Sequence, residues 1–221
     1  MNHYRKIQSV DPLLDSLIEK YGSDKNLSVY NIVYANIFNK IRFDVTSILE
    51  IGVGSFITEH SNFSGIKQYY SDYTPDGSLR VWRDYFPNAF VHGVDIAEDC
   101  LLEEDRIKTF IFSSTNHTKC LENLGNYKYD IIIDDGCHLG LSQLLTFKNL
   151  VPLLKEDGYY CIEDLGGCHG YPATDGTFYN PHLLGEFSDE FYKTVERNKF
   201  KVYVNQRPIM ITRNNNNDVH T

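Results

Sequence analysis

Hydrophobic residues recur at helical spacing in the first forty residues of the chain. Residues 11–21, DPLLDSLIEKY, place leucine and isoleucine side chains three and four positions apart, after an Asp that can cap a helix and a Pro. An Asp and a Pro in these positions are typical of the start of a helix, and Gly22 is typical of its end. Residues 29–41, VYNIVYANIFNKI, show a second helical pattern. We therefore predict two N-terminal helices.

Short apolar runs that alternate with helical patterns occupy the rest of the chain. The runs that predict strands are SILEI, AFVHGVDI, KTFIFSS, YDIIIDDG and GYYCIEDLGG, and the helical segments are SLRVWRDYF, LSQLLTFKNLVPLL and FSDEFYKTVERN. The final runs, KVYVNQ and IMITRN, predict an antiparallel pair at the sheet edge. This alternation predicts a Rossmann-like α/β fold, with a mostly parallel seven-stranded sheet, an antiparallel edge strand and helices on both faces.

The length of 221 residues requires no second compact unit. We predict one domain over residues 1–221, with N-terminal helices in 1–45, the Rossmann-like core in 46–205, and the last strand and a polar tail in 206–221. A long segment without a regular pattern, residues 166–182, is of the kind that is functional or disordered. The tract Asn214 to Asn217 is expected to be disordered.

Charge and composition exclude several classes of partner. A net charge of −9 and a pI near 5.3 disfavour binding to a nucleic-acid backbone, which depends on Lys and Arg. No apolar run approaches the roughly 20 residues that span a bilayer, and the start, MNHYRKIQSVDPLL, lacks the apolar region of a secretory signal. The five cysteines form no C-x-x-C pair. We expect a cytoplasmic protein with a small-molecule substrate, no nucleic acid and no membrane.

Glycines and acids follow the first two predicted strands, where an open α/β sheet binds its ligands. Glu50, Gly52 and Gly54 end the first strand, and Asp95 ends the second, where it can accept hydrogen bonds from ribose hydroxyls. The segment GVGSFI lacks the third glycine of the dinucleotide fingerprint, which disfavours a pyrophosphate. A nucleoside ligand fits better; the alternative is that these acids are polar strand ends at the surface.

Four acids follow the fourth and fifth predicted strands: Asp134, Asp135, Glu163 and Asp164. Adjacent parallel strands bring such acids together, and their mutual repulsion is relieved by a cation. Oxygen ligands favour Mg²⁺ or a similar hard ion over zinc. The alternative is that the acids cap neighbouring helices.

His138 is the best candidate for a general base. It lies three residues after Asp135, and a neutral imidazole can accept a hydroxyl proton near pH 7. The second candidate is His169 in the long loop, whereas His60, His92 and His117 have no comparable context. A lone histidine is more often structural than catalytic, so the hypothesis that His138 is a base depends on the acids that neighbour it.

Several of these segments resemble the metal-dependent sugar O-methyltransferases of macrolide tailoring, the macrocin and mycinamicin type. The similar segments are YGSDKN, SILEIGVGS, DGSLRVWRDYFPNAFVHGVDI, YDIIIDDGCH and LLKEDGYYCIEDL, which lie within residues 20–170. The resemblance implies a class I methyltransferase fold, S-adenosylmethionine as methyl donor, S-adenosylhomocysteine as product, and a sugar or glycan-precursor hydroxyl as acceptor.

Residue roles follow from the resemblance position by position. It implies that Asp135 and Asp164 bind Mg²⁺, with Glu163 beside them, and that His138 acts as base together with Asp135. The implied donor-site residues are Glu50, Gly52, Gly54, Ser78, Leu79, Asp95 and Asp134. The implied reaction is direct in-line displacement at the sulfonium methyl, without a covalent enzyme intermediate.

The sequence departs from the family pattern at three places. Asp76 replaces a glycine, Cys137 stands where Ser is usual, and SSTNH follows the third strand where an acidic segment is common. The last difference puts the adenine contacts in doubt. The resemblance fades after residue 170, where such enzymes shape the acceptor pocket.

Three other functions stay open at this stage. The acceptor can be a phenol, an amine or a phosphorylated surface-glycan precursor instead of a sugar. The chain can be a nucleoside-binding module without catalysis, although binding alone needs neither the acid cluster nor His138. A nicotinamide-dependent oxidoreductase is disfavoured by the missing third glycine. The assembly we favour is a homodimer.

Overall fold

The computed structural model describes residues 8–26, 30–57, 71–164, 200–204 and 209–213. Several predictions lie outside these residues: the helix at 187–198, the long segment 166–182, His60, His169, and the polar tract Asn214 to Asn217. The chain divides into two compact units, Met1–Ser113 and Ser114–Thr221, which are described in turn. The predicted extent of a single domain, with its boundaries at 45 and 205, stays a prediction.

The first unit contains three helices and four strands within its described residues. They are α1 Pro12–Tyr21, α2 Tyr30–Phe38, β1 Ser47–Ile51, α3 Gly77–Tyr85, β2 Phe90–Asp95, β3 Glu103–Glu104 and β4 Ile107–Ile111, with a short 3-10 helix at Glu98–Cys100. β1 pairs with β2 and β2 with β4, both in parallel, and β3 pairs antiparallel with β4. The predicted helices and strands of this half are confirmed.

Local sequence signals fix the ends of α1. The side chain of Asp11 accepts hydrogen bonds from the backbone N–H groups of Leu13 and Leu14, and Pro12 occupies the first turn. Gly22 ends the helix with φ 66°, a left-handed conformation that glycine adopts without a steric penalty. A Cβ at this position would lie 2.1 Å from the backbone oxygen of Asp72. The backbone after α1 therefore packs directly on the turn that precedes α3.

An aromatic cluster joins α2 and α3. The Trp82 ring meets Tyr34 edge-on with ring centroids 5.3 Å apart, and Tyr34 stacks on Phe38 at 5.1 Å. Phe38 also contacts Phe86, and all four rings are fully buried. Such rings bury large apolar areas, so this cluster is a hydrophobic contact between α2 and α3 within the first unit.

The second unit contains two further helices and four strands within its described residues. They are α4 His117–Leu124, β5 Tyr129–Asp134, α5 Gly140–Leu150, a 3-10 turn Val151–Leu153, β6 Leu154–Ile162, β7 Phe200–Val204 and β8 Ile209–Arg213. β5 and β6 are parallel, β6 and β8 are antiparallel, and β8 pairs antiparallel with β7. The predicted antiparallel pair near the chain end is confirmed.

Sequence reasoning missed some elements and shifted the limits of others. α4 was not predicted, although Asn116 caps it by accepting a hydrogen bond from the backbone N–H of Lys119. The two-residue strand β3 was also missed. β6 begins at Leu154, four residues before the predicted start, and α5 ends at Leu150 where the 3-10 turn takes over. Among the described helices, none combines the length and the apolar character needed to cross a membrane.

Candidate functional site

The glycine segment after β1, defined as residues 52–54, takes a conformation that needs its glycines. Gly52 has φ 81° and Gly54 has φ 85°, values at which a side chain is strained. The N–H of Gly52 donates to the carbonyl of Val94, which fixes the segment against β2. A Cβ at Gly54 would lie 2.5 Å from the hydroxyl of Tyr73. Gly52 and Gly54 thus leave the backbone of this segment without side chains and allow close approach of other atoms, as expected where a ligand approaches a strand end.

Asp95 is fixed beside the glycine segment. Its Oδ2 accepts a hydrogen bond from the N–H of Val53 at 3.0 Å, and its Oδ1 accepts from the N–H groups of Ile96 and Ala97 at 2.7 and 3.1 Å. The residue is partly exposed, and a carboxylate has about four lone-pair positions. Asp95 therefore retains capacity to accept bonds from ligand hydroxyls while its orientation is held by backbone donors.

Glu50 is buried at the end of β1. Its side chain is 0% exposed, its Oε2 accepts a hydrogen bond from Trp82 Nε1 at 3.0 Å, and its Oε1 lies 3.4 Å from Nζ of Lys25, which is 2% exposed. The carboxylate thus joins the end of β1 to α3 and to the segment after α1. The donor-site role predicted for Glu50 stays a prediction, and its geometry is that of a residue acting through the backbone it supports.

Ser78 and Leu79 differ in exposure although they are neighbours in the first turn of α3. Ser78 is half-buried, whereas Leu79 is 0% exposed and belongs to the core. The Cδ1 atom of Leu79 lies 2.9 Å from the position that a Cβ on Gly93 would take. Leu79 therefore positions α3 on β2, and only Ser78 of the two has exposed surface.

Asp99 and Cys100 were not predicted, yet they bind the end of the glycine segment and the two residues that follow it. Asp99 accepts hydrogen bonds from Ser55 Oγ at 2.6 Å and from the N–H of Phe56 at 2.8 Å. Cys100 donates from Sγ to the carbonyl of Gly54 at 3.0 Å, and burial raises the pKa of its thiol, which keeps it a neutral donor. The signal in the sequence was an acid four residues after Asp95.

In the second unit, the structure brings Asp135, His138 and Asp164 together. One ligand atom from each residue lies within 4.8 Å of the other two, and all three residues are half-buried. Asp135 Oδ1 is 3.9 Å from His138 Nε2. The parallel pairing of β5 with β6, in which Asp134 is the partner of Ile162, explains why the two strand ends meet. We call these three residues the acid–histidine group.

Two members of the acid–histidine group have strained backbones. His138 has φ 55° and Asp164 has φ 45°, in the left-handed region that residues with a Cβ rarely adopt. Such a conformation costs about 1–3 kcal/mol and persists where the surroundings enforce it, often at functional positions. The strain supports a functional role for the group.

Asp134 and Glu163, the acids that precede the group on each strand, are buried and lie outside it. Asp134 is 2% exposed and Glu163 1%, and the N–H of Glu163 donates to the carbonyl of Asp134. Burial raises the pKa of Asp134 to about 7, although its Oδ1 accepts a hydrogen bond from the N–H of Gly136. Gln143 Nε2 donates to the carbonyl of Glu163. The predicted donor role of Asp134 and metal role of Glu163 stay predictions.

The donor atoms of the acid–histidine group suit a divalent cation. Two carboxylates and one imidazole offer two hard oxygen atoms and one nitrogen, and Mg²⁺ is commonly held by one or two carboxylates together with water or substrate oxygens. Imidazole is the less usual ligand for Mg²⁺. The group therefore fits a Mg²⁺ ion on Asp135 and Asp164, with His138 beside it.

Two other histidines have structural surroundings. His92 is 8% exposed and meets Phe110 edge-on, and burial, with Lys108 nearby, lowers its pKa to about 4. His117 Nδ1 lies 3.2 Å from Oδ1 of Asn149. Neither belongs to the acid–histidine group.

Known proteins similar to the chain are O-methyltransferases by name. The 8-demethyl-8-alpha-L-rhamnosyl tetracenomycin-C 2'-O-methyltransferase of Streptomyces olivaceus is 32% identical over 170 residues, which are 76% of this chain and 41% of the relative. The demethylmacrocin O-methyltransferase of Streptomyces fradiae is 32% identical over 161 residues, 71% of this chain and 37% of the relative. The chain spans about two fifths of the length of these curated relatives. No protein-family model matches it.

A solved structure extends the similarity to the fold. MycE methyltransferase from the mycinamycin biosynthetic pathway, in complex with Mg, SAH and mycinamycin VI, matches 96% of this chain and 57% of its own, with a TM-score of 0.74 and 24% identity. The methyltransferase fold is confirmed. The resemblance to the macrolide sugar O-methyltransferases that the sequence indicated is likewise confirmed.

Proposed function

We propose that this chain is an S-adenosylmethionine-dependent O-methyltransferase that transfers a methyl group to a hydroxyl of a sugar or glycan precursor, with a divalent metal such as Mg²⁺. The observation that carries the proposal is the acid–histidine group, at the ends of β5 and β6 of a methyltransferase fold. A protein that only bound a nucleoside would need neither a cation site nor a neighbouring base. The rhamnosyl group in the name of the Streptomyces olivaceus enzyme suggests the acceptor class.

The donor half of the proposal rests on the first unit. The bare backbone of the glycine segment would lie against the donor, and Asp95 would accept hydrogen bonds from its ribose hydroxyls. Ser78 would offer a hydroxyl in the first turn of α3. Glu50 would act indirectly, because its buried carboxylate holds the end of β1 in place.

The chemistry of transfer is assigned to the second unit. A divalent ion held by Asp135 and Asp164 would supply a Lewis acid that lowers the pKa of the acceptor hydroxyl. His138 takes the hydroxyl proton, and the oxygen attacks the methyl carbon in line with the departing sulfur. The Asp135 carboxylate, 3.9 Å from the imidazole, favours the imidazolium that forms.

The setting of the reaction is also part of the proposal. The acceptor is a small molecule, the assembly is a homodimer, and the reaction takes place in the cytoplasm. The four cysteines among the described residues, Cys100, Cys120, Cys137 and Cys161, are all free thiols, which suits a reducing compartment.

Calorimetric titration with S-adenosylhomocysteine, with and without Mg²⁺ and with NADH as a control ligand, tests the donor assignment. We expect S-adenosylhomocysteine to bind and NADH not to bind. Absence of S-adenosylhomocysteine binding, or a preference for NADH, would overturn the proposed function.

Turnover of matched histidine variants tests the base. With S-adenosylmethionine and a panel of deoxysugar glycosides, His138→Ala should lose about 10²–10⁴-fold in rate while its affinity for S-adenosylhomocysteine stays unchanged. His117→Ala, an exposed histidine in the same unit, is the control and should keep full activity. In Asp164→Asn the rate should no longer respond to added Mg²⁺. Near-normal turnover of His138→Ala would show that the base is another group.

A further inference from the structure

Asp76 lies directly against the glycine segment of the proposed donor site. It precedes α3, and its N–H donates to the carbonyl of Val53 at 2.9 Å. The N–H of the same Val53 donates to Asp95 Oδ2 at 3.0 Å. One residue of the glycine segment thus connects the backbone of Asp76 with the carboxylate expected to bind the donor ribose.

The backbone conformation of Asp76 is one that a glycine would adopt more easily. Asp76 has φ 62° and ψ 0°, in the left-handed region. An Asp before a helix usually offsets such a penalty by accepting a hydrogen bond from the first turn, but this side chain makes no capping bond to α3. The carboxylate therefore forms no hydrogen bond with the first turn of the helix that it precedes.

The carboxylate of Asp76 also has no hydrogen-bond donor elsewhere in the described part of the chain, and its Oδ1 is shielded from solvent. The titratable and charged groups that face it are Arg80 on α3, Asp95 at the end of β2, Asp99 and Cys100 in the 3-10 helix, and Glu104 in β3. Arg80 is the one cation among them, and it is engaged with Glu104 through Nε at 3.1 Å and Nη2 at 2.7 Å. The surroundings of Asp76 thus have an excess of negative charge.

Burial is the largest cause of the raised pKa of Asp76, which is about 7. The positive charge of Arg80 lowers this pKa, and the negative charges of Asp99, Asp95 and Glu104 raise it further. Near neutral pH the carboxyl group is therefore divided between its charged and neutral forms. A positively charged ligand nearby would favour the charged form and release a proton.

We propose that Asp76 is a specificity-determining residue of the donor site, whose carboxylate recognises the positive charge of S-adenosylmethionine and favours this donor over its product. The donor carries a sulfonium cation, which S-adenosylhomocysteine lacks once the methyl group has left. This inference rests on the proposed function, because it assigns Asp76 to the same donor site. Once the methyl group has left, the product carries no sulfonium charge for Asp76 to attract, and the protein binds it more weakly than the donor.

Titration calorimetry of both ligands against wild type and Asp76→Asn tests the inference. Asparagine keeps the size of the side chain and tolerates the left-handed backbone, but it has no charge. We expect Asp76→Asn to bind S-adenosylmethionine about fivefold to tenfold more weakly and S-adenosylhomocysteine with less than about twofold change. Asp105→Asn, which removes a carboxylate that is 92% exposed in the same unit, is the matched control and should change neither affinity.

Proton release gives a second readout, which a purely structural role would not alter. In buffers of different ionisation enthalpy at pH 7, wild type should release up to about half a proton per S-adenosylmethionine bound, and Asp76→Asn should not show this release. If Asp76→Asn fails to fold, Asp76→Gly replaces it, because glycine suits φ 62°. Equal weakening of both ligands, or unchanged proton release, overturns the role of Asp76 alone. Failure of wild type to bind either ligand overturns the proposed function as well.

Discussion

The buried pair of Lys25 and Glu50 offers the sharpest test of how the first unit is held together. Lys25→Met removes the ammonium group and leaves a Glu50 carboxylate that is 0% exposed. At the observed separation of 3.4 Å, the attraction lost is about 5 kcal/mol for an effective dielectric constant of about 20. Removal of one partner from a buried pair typically destabilises a protein by about 3–5 kcal/mol, and we expect a loss in this range.

Urea unfolding followed by circular dichroism measures this loss, and a second variant isolates its cause. Glutamine at position 50 can still accept the hydrogen bond from Trp82 Nε1 but brings no buried charge. Lys25→Met/Glu50→Gln should therefore be more stable than Lys25→Met by at least about 1 kcal/mol. A loss of less than about 1 kcal/mol in Lys25→Met, or a double variant no more stable than the single one, would show that the buried charge pair does not stabilise the first unit in this way.

Two further predictions concern a glycine and a histidine of the same unit. Gly54→Ala should weaken S-adenosylhomocysteine binding and lower the melting temperature, because φ 85° strains alanine and its Cβ would lie 2.5 Å from the Tyr73 hydroxyl. Titration calorimetry measures the affinity, and an unchanged affinity would contradict this prediction. His92 has its pKa lowered to about 4 by burial, so its neutral form contributes stability above about pH 6.5 that is lost as the pH falls towards 4. In His92→Phe, the free energy of unfolding measured in urea should depend less on pH between about 6.5 and 4. An unchanged dependence on pH would contradict the role of His92.

The alternation of apolar runs was sufficient to predict most of the strands, because most strand ends are marked by a change in polarity. β1 and β5 are mostly apolar runs followed by Gly52 and Asp134, and the structure ends β1 at Ile51 and β5 at Asp134. α4 was not predicted because only Cys120 and Leu124 are buried in it, and two apolar positions are too few to show the spacing of a helix. The early start of β6 was not predicted because its residues Lys155 to Asp157 are polar and resemble a loop.

The candidate site was predictable where it depends on strand order and unpredictable where it depends on distant contacts. The grouping of Asp135 with Asp164 follows from two neighbouring parallel strands. The burial of Glu50 does not, because its partners Lys25 and Trp82 lie 25 and 32 residues away in sequence. Likewise, a sequence cannot show that Asp76 lacks a hydrogen-bond donor.

The pairing of β6 with β8 has a consequence for synthesis of the chain. β6 ends at Ile162, but β8, its antiparallel neighbour, begins only at Ile209. Until the ribosome has released β8, one side of β6, with its apolar run of Tyr160, Cys161 and Ile162, has no strand to cover its backbone groups. An uncovered apolar strand edge is a template for aggregation. The nascent chain is therefore most vulnerable in the interval between the release of β6 and the release of β8, and a chain shortened so that it lacks β8 would keep that vulnerability permanently.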